Sequence, residues 1–210
     1  MVAGASGLVG REILAALPGA EPPAVVHALV RRPLDGAPAG IHQQVVDFAA
    51  LPPLAAADEV YIALGTTIKA AGSQAAFRAV DFDAVVAVAR AARASGASRI
   101  GVVSALGADP QSPVFYNRVK GEMERAVSAL GFETVVFARP SLLLGDRDRL
   151  GQPRRFGEQL GQRAMRWVGS VVPARWRAID ARDVAISLVE AVRTGSPGVH
   201  VLSSEALRRD

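Results

Sequence analysis

Cysteine is absent from the 210 residues, and only three histidines occur. Disulfides, thiolate metal sites and cysteine nucleophiles are therefore excluded. His27, His42 and His200 are not grouped at the spacing of metal ligands. We accordingly expect no bound metal and no Ser-His-Asp triad.

Lysine is nearly absent as well. Lys69 and Lys120 are the only lysines, so almost all of the 24 basic residues are arginine. The net charge of +4 and the pI near 10.3 would suit a nucleic-acid surface. The abundance of Ala, Val, Gly and Pro indicates a compositional bias instead. Nucleic acid is not the expected partner, and binding through the arginines between Arg147 and Arg177 is kept only as an alternative.

Long uncharged apolar runs are also missing. None reaches the roughly 18 residues that a bilayer-spanning helix needs, and the N-terminus lacks a basic-then-apolar signal sequence. We therefore expect no membrane contact and a cytoplasmic location. The composition, 50% hydrophobic and 21% charged, is typical of a globular α/β protein.

A glycine-rich segment, Gly4-Ala5-Ser6-Gly7-Leu8-Val9-Gly10, lies between a short apolar start and a helical pattern. Glycines permit a tight turn and let a pyrophosphate approach the backbone N–H groups at the positive end of a helix. The segment predicts dinucleotide binding, although ordinary turns are also rich in glycine. Only three residues precede Gly4, fewer than the usual five or six of a strand. Because this first strand is so short, the sequence leaves open that the true start lies further upstream or that the start has been trimmed.

Short apolar runs alternate with helical patterns, as in a doubly wound, mostly parallel α/β sheet. After the first strand we predict strands over 24–30, 45–48, 59–67, 99–103, 134–138 and 200–202, and helices over 11–17, 74–95, 116–124, 157–172 and 183–192. No linker or internal repeat interrupts the pattern. We predict one Rossmann domain over 1–210, with 142–178 as a small cap on the substrate side.

Arg31 and Arg32 follow the second predicted strand, about 20 residues after the glycine segment, where the adenosine ribose of a dinucleotide lies. An acidic residue there would bind the 2′-hydroxyl of NAD. Guanidinium groups suit the 2′-phosphate of NADP instead. The simpler alternative is that both arginines begin a solvated loop. We predict NADP rather than NAD as the cofactor.

Tyr116 and Lys120 are four residues apart and share one face of a predicted helix, and Ser104 follows the fifth strand. Together they form a proton-transfer set. The tyrosine hydroxyl would be the acid for a carbonyl or the base for an alcohol, and the serine would hold the substrate oxygen. The lysine would favour the phenolate and contact the nicotinamide ribose. Because Tyr-x-x-x-Lys is frequent by chance, the prediction rests on its combination with the glycine segment.

In these motifs the chain resembles an atypical member of the short-chain dehydrogenase/reductase superfamily. It most resembles the branch that includes the Tat-interacting oxidoreductase and its uncharacterised bacterial relatives. The motifs that carry the resemblance are Gly4 to Gly10, Val45-Val46-Asp47-Phe48, Leu64-Gly65-Thr66-Thr67, Ser104 with Gly107-Ala108-Asp109, Tyr116 with Val119-Lys120-Gly121-Glu122, and Arg139-Pro140.

The resemblance implies roles for particular residues. Catalysis would fall to Ser104, Tyr116 and Lys120. The cofactor contacts would be Gly4, Ser6, Gly7, Leu8 and Val9 at the pyrophosphate, Arg31 and Arg32 at the 2′-phosphate, Asp47 and Phe48 beside the adenine, Leu64, Gly65 and Thr66 along the middle, and Tyr116, Lys120 and the segment from Pro140 at the nicotinamide. Asp81 stands where the family often has a structural asparagine, which puts a proton-relay water in doubt.

The predicted function is an NADP(H)-dependent oxidoreductase acting on an unidentified small carbonyl or alcohol. A non-catalytic NADPH-binding sensor or assembly protein is the alternative. Epimerase or dehydratase chemistry is a further one, for which the short C-terminal segment leaves little room. A protein partner or a homodimer is left open.

Overall fold

The computed structural model describes residues 1–18, 25–144 and 177–209. The strands are β1 (Val2–Ala3), β2 (Val26–Val30), β3 (Ile41–Val45), β4 (Glu59–Ile62), β5 (Arg99–Val103), β6 (Thr134–Arg139), β7 (Leu143–Leu144), β8 (Ile179–Asp180) and β9 (Gly198–Ser203). The helices are α1 (Leu8–Ala16), α2 (Ile68–Ala71), α3 (Gln74–Arg78), α4 (Val85–Ala94), α5 (Phe115–Ser128) and α6 (Ala181–Thr194). A π-helical segment, Ala79–Ala84, joins α3 to α4.

Within these residues, seven strands form one parallel sheet in the order β3-β2-β1-β4-β5-β6-β9, and β7 pairs with β8 in a separate small sheet. The strand order reverses at β1, which lies between β2 and β4. Open α/β sheets bind their ligands outside the carboxyl ends of the strands at such a switch point. The predicted fold class, a doubly wound parallel sheet, is confirmed.

Helices cover both faces of the sheet, and consecutive strand residues pack into two different cores. In β4, Val60 and Ile62 join α4 and α5 on one face, while Tyr61 joins α1 and α6 on the other. All three side chains are fully buried. Because both faces are covered, the central strands are continuous apolar runs, which is why the sequence pattern identifies them.

The third strand differs from its prediction at 45–48 and covers Ile41–Val45 instead. It pairs with β2 at the edge of the sheet. His42 and Gln43 are exposed there, so a search for buried apolar runs misses it. The predicted helix over 74–95 is present as α3, the π-helical segment and α4. The helix predicted over 157–172 lies outside the described residues.

Among the described residues, no helix combines the length and the apolarity that crossing a bilayer requires.

Candidate functional site

The turn between β1 and α1 closes on two glycines. Gly4 has a φ of 85°, and a Cβ there would lie 2.5 Å from the carbonyl carbon of Ala63. A Cβ on Gly10 would lie 2.1 Å from the carbonyl oxygen of Gly4. Since both neighbours are backbone, any larger residue would force the chain apart. The end of β1 is therefore pressed against the end of β4, beside the switch point.

The N-terminus of α1 has features of an anion site. Gly7 is its N-cap in an extended conformation, no side chain of the described residues caps the first turn, and that turn holds no acidic residue. Uncapped N–H groups at the positive end of a helix attract phosphate. Gly7, Leu8 and Val9 also line the main cavity described next. This arrangement fits the predicted pyrophosphate cradle.

A cavity of about 670 Å³ runs along the carboxyl ends of the central strands. The predicted site residues that line it are Gly4, Ser6, Gly7, Leu8, Val9, Arg31, Asp47, Phe48, Leu64, Gly65, Thr66, Ser104, Tyr116 and Lys120. Two predicted residues are not among its lining. Arg32 is exposed, and Pro140 is buried with its carbonyl accepting a hydrogen bond from the Leu106 N–H. Leu143, three residues after Pro140, does line the cavity.

One wall of the cavity was missed by reasoning from the sequence. It consists of the π-helical segment and the start of α4, with Ala79, Val80, Asp81, Asp83, Ala84 and Ala87 as lining residues. From the sequence, Asp81 of this stretch is named only as a departure from the family pattern, and none of these residues is predicted to line a ligand site. Short π-helical turns are frequent at functional sites.

Ser104 follows β5, where its N–H donates to the carbonyl of Ala138 at 2.8 Å and extends the ladder between β5 and β6. Its side-chain oxygen is buried and has no hydrogen-bond partner within the described part of the chain. Buried hydroxyl groups are normally hydrogen-bonded, so each exception needs an explanation. A ligand oxygen in the cavity would supply the missing partner.

The segment after Ser104 is fixed against α5, the helix that carries Tyr116. A Cβ on Gly121 would lie 2.2 Å from the Asp109 backbone, and the Asp109 N–H donates to the Asn117 carbonyl at 3.1 Å. The Tyr116 ring packs on the buried Phe77 ring, with centroids 5.3 Å apart. Serine and tyrosine are thus held on elements that contact each other directly.

An ion pair between the half-buried Arg139 and the buried Glu124 ties the end of β6 to α5. The Arg139 guanidinium donates to both carboxylate oxygens of Glu124, at 3.0 and 2.6 Å. This hydrogen bonding raises the pKa of Arg139. The paired charges therefore hold α5, the helix that carries Tyr116, beside the strand that precedes Leu143.

Lys120 meets an unexpected partner. Its Nζ lies 2.8 Å from Oδ1 of Asp81, and the two residues are 3% and 1% exposed. The other carboxylate oxygen of Asp81 accepts a hydrogen bond from the Thr66 N–H at 2.8 Å. The Lys120 contact is a charge contact rather than a directional hydrogen bond, since Oδ1 accepts no hydrogen bond from the described residues. The charge of Lys120 is therefore compensated within the protein.

The cavity thus extends from the N-terminus of α1 to the side chains of Ser104, Tyr116 and Lys120. The motifs that lie along it are those by which the sequence resembles the class of short-chain dehydrogenases/reductases.

The sequence matches no family model, but it has clear relatives. Protein HTATIP2 of Rattus norvegicus is 34% identical over 221 residues, which cover 98% of this chain and 86% of the relative. The mitochondrial protein FMP52 of Eremothecium gossypii is 38% identical over 151 residues, which cover 70% of this chain and 67% of the relative. The chain belongs to the family of the HTATIP2 and FMP52 proteins.

Solved structures share the fold at low sequence identity. MoeE5 in complex with UDP-glucose and NAD is 18% identical with a TM-score of 0.72, over 96% of this chain and 74% of that one. A short-chain dehydrogenase/reductase superfamily protein from Agrobacterium tumefaciens with bound NAD is 17% identical with a TM-score of 0.67, over 96% and 76%. At these identities the likeness shows the Rossmann fold alone.

The prediction of a cytoplasmic location is wrong by this comparison. The FMP52 relatives of Candida albicans and Eremothecium gossypii are named mitochondrial. The prediction rested on the lack of a signal sequence and of a membrane-spanning run. Neither feature specifies the compartment in which a protein works.

Proposed function

We propose that the protein is an NADP(H)-dependent oxidoreductase that interconverts a small carbonyl compound and its alcohol. The observation that carries the proposal is the buried, unpartnered Ser104 hydroxyl. It lines one cavity with Tyr116 and Lys120, and that cavity extends to the anion-binding end of α1.

The residues present fit a nicotinamide dinucleotide. The uncapped turn at Gly7 would hold the pyrophosphate, Arg31 the 2′-phosphate, and Asp47 and Phe48 the adenine. The segment Leu64–Thr66 would contact the middle of the cofactor. When bound, the nicotinamide supplies or accepts the hydride. The NAD bound in MoeE5 and in the Agrobacterium protein, which share this fold, supports the assignment.

The chain's own residues would carry out the proton transfer. The Tyr116 hydroxyl gives its proton to the carbonyl oxygen as the adjacent carbon is reduced, and takes it back when an alcohol is oxidised. Ser104 donates a hydrogen bond to the same oxygen, while packing on Phe77 fixes the orientation of the tyrosine ring. The Lys120 ammonium stabilises the phenolate that remains.

Turnover is tested with a panel of small aldehydes and ketones and with NADPH oxidation as the readout. We expect Tyr116→Phe to lose about 100-fold or more of the activity, since it lacks the transferred proton, while NADPH binding stays within about threefold. Nucleotide binding without turnover of any compound would favour the sensor. Turnover of a nucleotide sugar without net NADPH consumption would favour an epimerase.

The choice between NADP and NAD is tested on the two arginines separately. Arg31→Ala should weaken NADPH binding at least tenfold, about 1.4 kcal/mol, and leave NADH binding nearly unchanged. Arg32→Ala is the matched control and should have the smaller effect, because Arg32 does not line the cavity. Equal NADPH affinities in the parent protein and in Arg31→Ala would contradict the assignment.

A cap over the substrate side of the cavity is also part of the proposal. Residues 142–178 would form this cap at the nicotinamide end, and Leu143 of that segment is a described residue that lines the cavity. The expected partner is a small molecule, and a homodimer or protein partner stays a prediction.

A further inference from the structure

The carboxylate of Asp81 joins two walls of the cavity. One oxygen lies 2.8 Å from the Lys120 ammonium of α5, and the other accepts a hydrogen bond from the Thr66 N–H after β4, also at 2.8 Å. Asp81 itself lies on the π-helical segment, which forms a third wall. A single buried side chain therefore connects three separate elements around the site.

The two partners of Asp81 need different things from its side chain. The Thr66 N–H needs an acceptor oxygen, and the Lys120 ammonium needs a negative charge. A carboxylate supplies both, whereas an asparagine would supply the acceptor oxygen but no charge. An amide at this position would therefore not satisfy the arrangement seen in this chain.

Charge leads to the same conclusion. Lys120 is 3% exposed, so its ammonium is largely removed from water. A buried charge without a partner is strongly disfavoured, and Asp81 is the partner that the described residues supply. The packing is close: a Cβ on Gly65 would lie 3.3 Å from Asp81 Oδ1 and 3.8 Å from Lys120 Nζ.

We propose that Asp81 is a positioning residue, which holds the Lys120 ammonium in place and anchors the Thr66 backbone beside it. The catalytic consequence of this role rests on the proposed oxidoreductase function, whereas the ion pair itself does not.

The chain offers a clean spectroscopic test, because Lys120 and Lys69 are its only lysines. Ammonium signals of ¹⁵N-labelled lysine are detected when exchange with water is slow, as in a buried ion pair. In nucleotide-free protein near neutral pH we expect a protected signal from Lys120, and none from the exposed Lys69. Asp81→Asn should abolish the protected signal.

Asp83→Asn is the matched control: Asp83 lies two residues away in the same wall but is exposed, and its replacement should leave the signal in place. Survival of the signal in Asp81→Asn would overturn the proposal.

If Asp81→Asn fails to fold, the double variant Asp81→Asn/Lys120→Met decides. Removing both charges should restore a cooperative thermal transition, since no unpaired charge stays buried. A double variant as unfolded as the single one would overturn the proposal, because Asp81 would then act through Thr66 alone.

Kinetics then test the catalytic consequence. With a substrate in hand, we expect Asp81→Asn to lower kcat at least about tenfold. An unchanged kcat would contradict the positioning role. A parent protein without turnover would refute the proposed function. The ion pair between Asp81 and Lys120 would then still be tested by the lysine signal, which does not depend on activity.

Discussion

Replacing Ser104 by alanine should stabilise the nucleotide-free protein while it damages the site. The Ser104 Oγ is buried without a hydrogen-bond partner among the described residues. A buried polar group left unpaired destabilises a protein by roughly 1–3 kcal/mol. Alanine removes that oxygen and keeps the backbone bond to Ala138. Stability and function are expected to conflict here, as they often do at active sites.

We expect the free energy of unfolding of Ser104→Ala to rise by about 1 kcal/mol, at the low end of the range because a small void replaces the oxygen. Ser112→Ala is the matched control. Ser112 is 8% exposed against 5% for Ser104, but its Oγ accepts a hydrogen bond from the Val114 N–H at 3.2 Å. Its loss should lower the free energy of unfolding by about 1 kcal/mol. The same deletion at two buried serines should therefore have opposite signs.

Urea unfolding followed by circular dichroism measures both variants against the parent protein, with NADPH absent. If Ser104→Ala is destabilised as much as Ser112→Ala, the Ser104 hydroxyl already has a partner in solution. The reasoning that it is kept for a ligand would then be refuted.

Two further predictions concern the backbone and pH. Gly4→Ala places a Cβ 2.5 Å from the Ala63 backbone at a φ of 85° and should lower the free energy of unfolding by more than about 2 kcal/mol. Gly36→Ala is the control: its φ is 66° and its Cβ would lie in open space, so its free energy of unfolding should fall by only about 1 kcal/mol. Equal losses in the two variants would contradict the close approach of β1 and β4. The pKa of Tyr61 is raised above its ordinary value of 10.0, mainly by burial. The Glu59 carboxylate, to which the Tyr61 hydroxyl donates a hydrogen bond at 2.8 Å, is the second cause. The native state therefore keeps a proton that the unfolded chain releases, so this contribution to stability is complete below pH 10 and declines as the pH rises further. Urea unfolding of the parent and Tyr61→Phe proteins between neutral pH and roughly pH 11 should show the parent losing more stability than the variant. Equal losses of stability in the two proteins would contradict a raised pKa of Tyr61.

The sheet was predictable from the sequence where strands are buried on both faces. The run 99–103 is β5 as predicted, because its three central residues are buried and its two end residues are half-buried. The edge strand β3 was misplaced because it alternates only weakly, with His42 and Gln43 exposed. The pattern of apolar residues in a sequence indicates which segments are buried. It therefore locates the central strands, which are buried on both faces, better than the edge strands.

The candidate site was predictable where its residues belong to local motifs. The glycine segment and the Tyr116–Lys120 spacing are short-range features, and Gly4 to Val9, Tyr116 and Lys120 line the cavity. The ion pair between Asp81 and Lys120 joins positions 39 residues apart in the chain. The π-helical register that brings Asp81 to the cavity depends on backbone hydrogen bonding, which the side-chain pattern does not report. Nothing local in the sequence indicates such a contact.

A fluorescence titration with NADPH and with NADH tests the central claim most directly. The proteins to compare are the parent and Gly10→Ala, whose Cβ would lie 2.1 Å from the Gly4 carbonyl oxygen and force apart the turn that is proposed to hold the pyrophosphate. The account predicts micromolar binding of NADPH by the parent, about −8 kcal/mol, at least tenfold tighter than NADH and abolished in Gly10→Ala. Absence of binding of either nucleotide to the parent, or equal binding by Gly10→Ala, would contradict it.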